Sequence, residues 1–189
     1  PTVTQTVTST TTNTATNSAT NTSWSPCYRS GDYFYADQIT PVIDGVWEEW
    51  GTTQYPATFV VYGADQWVSE ADLSSSFRVG WDSQYLYIGV KVGDDHYVQN
   101  AAGQELYKGD GVELLIDTNL CGDYYATSLS GDDFQLGISP GNPDVNGPRE
   151  AFMWYPSSMA GSKPGVLISS VQSTGLYRVE AGIPWSDLG

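Results

Sequence analysis

Residues 75–95, SSFRVGWDSQYLYIGVKVGDD, constrain the fold more than any other stretch of the chain. Phe77, Val79 and Trp81 alternate with polar or small residues, and Asp82-Ser83-Gln84 then breaks the pattern. Beyond the break Leu86, Ile88, Val90 and Val92 alternate with Tyr85, Tyr87, Gly89 and Lys91. Successive side chains of a strand point to opposite faces, so this pattern reads as a hairpin with one apolar face. A hairpin alone is marginal in water, and its apolar face needs a second layer. Residues 57–63, 111–117, 133–139, 150–155, 165–173 and 175–184 supply further short apolar runs, with Gly, Pro, Asn and Asp clustered between them. Residues 46–50 and 69–74 read as no more than single helical turns. Many short strands with polar connections predict an all-β chain, an antiparallel β-sandwich of the immunoglobulin or jelly-roll kind.

The head of the chain has a different texture. Between Thr2 and Thr22 every even position is Thr except Ser18. Threonine is β-branched and favours extension, but this tract has too little apolar surface to offset the entropy of ordering itself. The sequence therefore divides into an extended Thr/Ser/Asn-rich arm or stalk, 1–26, and a β-sandwich, 27–189. Compositionally the arm is like Ser/Thr-rich stalks that carry O-linked sugar, with Thr12, Thr14 and Thr16 as candidate sites. Asn21-Thr22-Ser23 is a sequon that makes Asn21 a candidate for N-linked sugar. The same tract reads equally as an assembly arm, with Thr2, Val3, Thr4, Thr6, Val7 and Thr8 laid as a strand along an open sheet edge of another copy. Such head-to-tail contacts do not close, and they propagate as a filament.

Charge and cysteine usage narrow the setting. Asp and Glu number 22 against 7 Lys and Arg, a formal net charge of -15. That surface repels phosphate backbones and anionic lipid, so neither nucleic acid nor a membrane surface is an expected partner. No run approaches the ~18 apolar residues of a membrane span. Cys27 and Cys121 are the only cysteines, and Cys121 stands in a polar loop, TNLCGD. In an acidic, Thr-rich chain of extracellular or cell-surface character they are expected to pair, tying the arm to the domain.

Four motifs follow one another in order: ITPVIDGVWEEW (39–50), FRVGWDSQYLYIGVKVGDD (77–95), YKGDGVELLIDTN (107–119) and YRVEAGIPWSDLG (177–189). Together they resemble family 9 carbohydrate-binding modules and the related DOMON-like sandwiches, over roughly 39–189. The resemblance implies a non-catalytic sugar-binding sandwich, with one or two further strands expected after Gly189. Most of the motif positions read as packing, with Ile43, Trp47, Trp81, Leu86, Ile88, Val112, Leu114, Ile116, Val179, Ile183 and Trp185 expected on buried faces.

Sugar rings stack their C–H faces on aromatic rings while carboxylates and amides pair with the hydroxyls. Aromatics outside the packing motifs are the candidates: Trp67, Tyr97, Tyr107, Tyr124, Tyr125, Trp154 and Tyr155. For each, ordinary half-buried packing is the competing reading. Asp94, Asp95, Asp110, Asp117, Asp123, Asp132 and Asp133 gather around loops, and the resemblance implies structural calcium in such a cluster. A solvated acidic rim explains them equally. No EF-hand pattern is present. His96 is the sole histidine, which excludes multi-histidine metal sites and leaves no nucleophile–base constellation. Haem, which some DOMON-like domains hold through Met with His or Lys, is not expected, because no haem motif accompanies Met153, Met159 and His96. Two functions stand: a subunit that self-associates through its arm into a surface filament or layer and binds polysaccharide, or a monomeric carbohydrate-binding module on a glycosylated stalk of a larger secreted or surface protein.

Overall fold

A computed structural model of the protein describes residues 34–189 apart from Val61, Tyr124 and 143–146. The strands run in chain order as β1 (Asp37–Gln38), β2 (Tyr55–Ala57), β3 (Leu73–Trp81), β4 (Tyr85–Asp94), β5 (Val112–Asp117), β6 (Asp133–Asn142), β7 (Gly147–Tyr155), β8 (Gly161–Ser162), β9 (Leu167–Ser173) and β10 (Leu176–Pro184). The hairpin forms as read, with Phe77 opposite Val90 and Val79 opposite Ile88. A six-stranded sheet has the order β1-β3-β4-β10-β9, and β2 also pairs with β3. A four-stranded sheet, β5-β6-β7-β8, covers it. Every pairing is antiparallel except β1 with β3.

The core lies between the sheets. Leu86, Ile88, Val179 and Ile183 of the larger sheet meet Leu114, Leu136, Ile138 and Met153 of the smaller one, all buried. Burying one such side chain contributes about 1.5–3 kcal/mol, so the alternating runs carry most of the stability. Val112, Ile116 and Trp185 pack against this cluster half-buried. Trp47, expected in the core, lies instead on the outer face of the larger sheet, against Gly89. The apolar run 57–63 departs from expectation too: pairing ends at Ala57, and Phe59 and Tyr62 are exposed on the β2–β3 loop. No facing layer covers that loop, so the hydrophobic run alone does not make a strand. Residues 48–50 form bends, whereas 70–72 make a turn closed by Asp72 N and Leu73 N donating to Ser69 O.

The 39–50 motif is a clasp on the larger sheet. Glu180, fully buried on the outward side of β10, accepts hydrogen bonds from Gly45 N (2.7 Å), Asp44 N (3.0 Å) and Trp50 Nε1 (2.8 Å). Burial holds its carboxyl above the ordinary range, and these three donors oppose that shift. Gly45 has φ +90°, and a Cβ there would stand 2.7 Å from Val171 Cγ2, so both backbone hand and space require glycine. The Arg78 guanidinium lies 4.7 Å from the Trp47 ring centroid, completing the cover.

At the hairpin turn Asp82 accepts from Gln84 N, Tyr85 N, the Thr40 hydroxyl and the Tyr87 hydroxyl. The Gln84 amide first, with those other donors, brings its pKa down to about 2. The arm residues Thr2, Val3, Thr4, Thr6, Val7 and Thr8, the glycosylation candidates Thr12, Thr14, Thr16 and Asn21, and Cys27 lie outside the described residues. Cys121 sits in the short helix α1 (Leu120–Asp123) and is not free.

Candidate functional site

The outer face of the smaller sheet is built differently. Because Val112, Leu114 and Ile116 face inward, Glu113 and Leu115 of β5 point out, and on β7 the outward residues are Phe152 and Trp154. A bulge between Gln135 and Leu136 re-aims the neighbouring pairs. The six-membered ring of Trp154 lies against Gly137 of β6, where an added Cβ would come within 2.3 Å of it. Its Nε1 donates to Gln104 O at 3.0 Å, fixing the ring from the other end. Phe152 lies 5.8 Å from it, and Tyr107 meets it edge-on at 6.2 Å.

Tyr107 is carried by a 3-10 turn, Gly103–Lys108, which two internal anchors hold down. Leu106 is buried beneath it. Gln99, fully buried, donates to Asp110 O at 2.6 Å and to Leu106 O at 3.4 Å, while its Oε1 accepts from Ala101 N. Glu150 Oε1 accepts from Gly103 N at 2.7 Å. The turn is thus rigid, yet Tyr107 stays 60 % and Leu115 49 % exposed. Between them Gln135 Nε2 donates to Glu113 Oε1 at 2.6 Å. The result is a fixed aromatic surface with an amide–carboxylate pair beside it. This can stack one face of a small ring and accept or donate hydrogen bonds at its hydroxyls.

Three of the aromatics singled out from the sequence meet here. Trp154 and Tyr107 form the surface, and Tyr155, paired with Gln135 across β6–β7, is held by its hydroxyl donating to Leu129 O. The others are dispersed. Trp67 belongs to the β2–β3 loop on the other sheet. Tyr97 packs edge-on against Tyr177 at 4.9 Å and donates to Gly141 O. Tyr125 is exposed on the loop after α1, and Tyr124 lies outside the described residues. Glu113, Gln135 and Phe152 were not singled out from the sequence. Their signal was the outward register of β5, β6 and β7, which alternation carries but which a search for loop aromatics passes over.

The acids form pairs and small groups rather than one centre. Asp94, which accepts from His96 N, faces Asp110, whose carboxyl is held high by burial and then by the Asp94 charge, against the Val98 amide. Asp117, Asp123 and Asp133 line one pocket of about 400 Å³. There burial, and then repulsion from Asp123, Asp133 and Asp132, raise the Asp117 carboxyl against the Asn119 amide. Asp133 accepts from Ser130 N, Asp132 accepts from the Ser130 hydroxyl, and Asp95 is exposed. Among the described residues no three His, Cys, Asp or Glu side chains stand where they could together hold a metal ion.

Fold and surface together define the class, a β-sandwich with a ligand-sized aromatic platform on one sheet. The sequence model of the carbohydrate family 9 binding domain-like family matches residues 43–189, and the chain belongs to that family. Two solved structures of a family 9 carbohydrate-binding module from Caldicellulosiruptor kristjanssonii share the fold. The one in complex with glucose is 20% identical, with a TM-score of 0.54, 80% of this chain and 68% of that chain covered. The one in complex with cellotriose is 22% identical, with a TM-score of 0.58 and 80% and 66% covered. The chain thus spans about two thirds of the length of those chains. No curated protein matches it. Among the described residues no helix is long and apolar enough to cross a membrane.

Proposed function

We propose that the protein is a non-catalytic, extracellular glycan-binding module, carried on its Thr-rich stretch as the stalk of a larger secreted or surface protein. The observation that carries this reading is Trp154, fixed between Gly137 and Gln104 O with Tyr107 at its edge and the Glu113–Gln135 pair alongside. One sugar ring stacks on the indole, Glu113 accepts from its hydroxyls, and Gln135 serves as donor or acceptor. Glucose and cellotriose, held by the structural neighbours, are the first probes. Titration followed by tryptophan fluorescence should show binding that Trp154→Ala weakens at least tenfold, while its β-spectrum is unchanged. Loss of nothing on that substitution, across a broad glycan panel, would overturn the reading.

A second reading, strand-addition assembly, is favoured by one observation. Among the described residues no strand pairs with the outer edge of β5, and an apolar cleft of about 480 Å³ opens there between the sheets, lined by Phe34, Phe77, Val90, Val112 and Leu114 among others. An unpaired edge over an open core is a template for a further strand. The Thr-rich arm of another copy, Thr2–Thr8 first, is the occupant this reading assigns. Deleting residues 1–23 should then leave a folded monomer that no longer polymerises; fibres that persist after the deletion would end the idea. We also propose the Cys27–Cys121 bridge, which mass spectrometry of unreduced peptides tests, two free thiols being the contrary result.

A further inference from the structure

The β2–β3 loop holds a second group of aromatics that neither the platform nor the core uses. Phe59 is 88 %, Tyr62 96 % and Trp67 40 % exposed. They stand on the wall of a cleft of about 730 Å³ whose floor includes Ser74 and Lys91, with Glu70 at its side. Ser74 and Lys91 project outward from β3 and β4, since Val90 and Val92 line the interior. The cleft opens on the outer side of the larger sheet beside β2, where Ala57, Leu73, Ser75 and Ser76 line both it and the inter-sheet cleft, and the Trp154 platform is on the outer face of the smaller sheet.

The loop is shaped rather than slack. Gln66 N and Trp67 N both donate to Gly63 O, and Val68 N donates to Asp72 Oδ2. The indole of Trp67 is tied down by Nε1 donating to Leu73 O at 2.9 Å, which leaves its ring as a fixed wall. Among the described residues the ion pairs are Lys108–Glu105 and Lys163–Asp187, and neither Lys91 nor Glu70 has a charged partner there. Exposed rings above a donor, an acceptor and a serine hydroxyl form a concave mixed surface of the size that small ligands occupy.

We propose that this cleft is a second glycan site for neutral oligosaccharides, with Trp67, Tyr62 and Phe59 stacking on sugar faces and Lys91, Glu70 and Ser74 pairing with hydroxyls. Neutral ligands are specified because the protein's field repels polyanions and only one cation lines the floor. The inference rests on the reading of the chain as a glycan-binding module, and it makes the module bivalent, with sites facing opposite ways. It can then bridge two polysaccharide chains, each engagement raising the effective concentration for the other.

Calorimetric titration of the whole protein with cellotriose separates the two sites. Wild type should titrate with two equivalents, Trp154→Ala with one, and Phe59→Ala/Tyr62→Ala with one. In the Trp154→Ala background, adding Phe59→Ala and Tyr62→Ala should lower the remaining affinity at least tenfold; these two exposed side chains can be removed without unfolding the domain. Wild type should also cross-link a soluble β-glucan, raising its viscosity, and each single-site variant should not. One equivalent in wild type that vanishes in Trp154→Ala overturns the second site and leaves the first standing. No binding by wild type overturns both.

Discussion

The two outer faces of this sandwich use the same device to opposite ends. On each, a tryptophan lies over a glycine of a neighbouring strand, Trp47 over Gly89 and Trp154 over Gly137. On the larger sheet the Arg78 guanidinium lies over the ring, Trp50 is buried, and the 39–50 segment delivers two backbone amides and an indole to Glu180. On the smaller sheet a short 3-10 turn fixes the ring from its edge and leaves Tyr107 and Leu115 open. A tryptophan over glycine is thus a packing unit in one case and a platform in the other. What differs is what stands around the ring, since both indoles are themselves half-buried.

The comparison breaks first at Glu180. Glu180→Ala strands two buried donors, Gly45 N and Trp50 Nε1, and a part-buried one, Asp44 N; at about 1–3 kcal/mol for each buried donor left unpaired, urea unfolding should show a loss of at least about 2 kcal/mol. The folded fraction should bind glycan as wild type does. Unchanged stability would mean that the clasp does not hold the larger sheet.

Paired glycine substitutions come next. Gly137→Ala forces the indole of Trp154 off its seat and should lower glycan affinity at least tenfold. Gly89→Ala meets Trp47 at a tight 3.1 Å and should cost about 1–3 kcal/mol of stability by overpacking, with affinity unchanged. Titration and denaturation of both variants test the contrast; the reverse pattern would overturn it. Glu113→Ala sharpens the open side further. Its loss should reduce glycan affinity about tenfold, the value of a charge-assisted hydrogen bond of about 1.5 kcal/mol, with stability within about 0.5 kcal/mol.

The smallest effects are those of pH. Asp82 titrates at about 2 in the fold and near ~3.9 when unfolded, so its contribution is complete above the unfolded value and is lost as pH falls toward 2. Glu180 runs the other way. Its raised folded value makes its contribution complete below the ordinary carboxylate range and lost as pH rises through that raised value. Melting temperatures between pH 2 and 8 should show Asp82→Asn flattening the acid limb and Glu180→Gln flattening the decline above it. Identical profiles in both variants and wild type would remove both assignments.

The β-sandwich was legible in the sequence because strand alternation encodes burial locally. Phe77, Val79, Leu86, Ile88 and Val90 announce a hairpin, and the hairpin demands a covering layer. Tyr107, Trp154 and Tyr155 stand out in the sequence as aromatics away from the motif positions expected on buried faces. The local logic failed at Phe59 and Tyr62, whose apolar run has strand composition but no layer to face, and at Trp47, whose motif position implied the inter-sheet core. Which glycine each tryptophan would lie on, and that Glu180 would receive the amides of Asp44 and Gly45, depends on residues 17 to 136 positions apart. Glu113 and Gln135 likewise become one surface only when β5 and β6 are in register. Periodicity is a property of neighbours along the chain and so can be read there. A platform left open or a face closed over is decided by which distant segment arrives to cover it, and only the folded chain settles that.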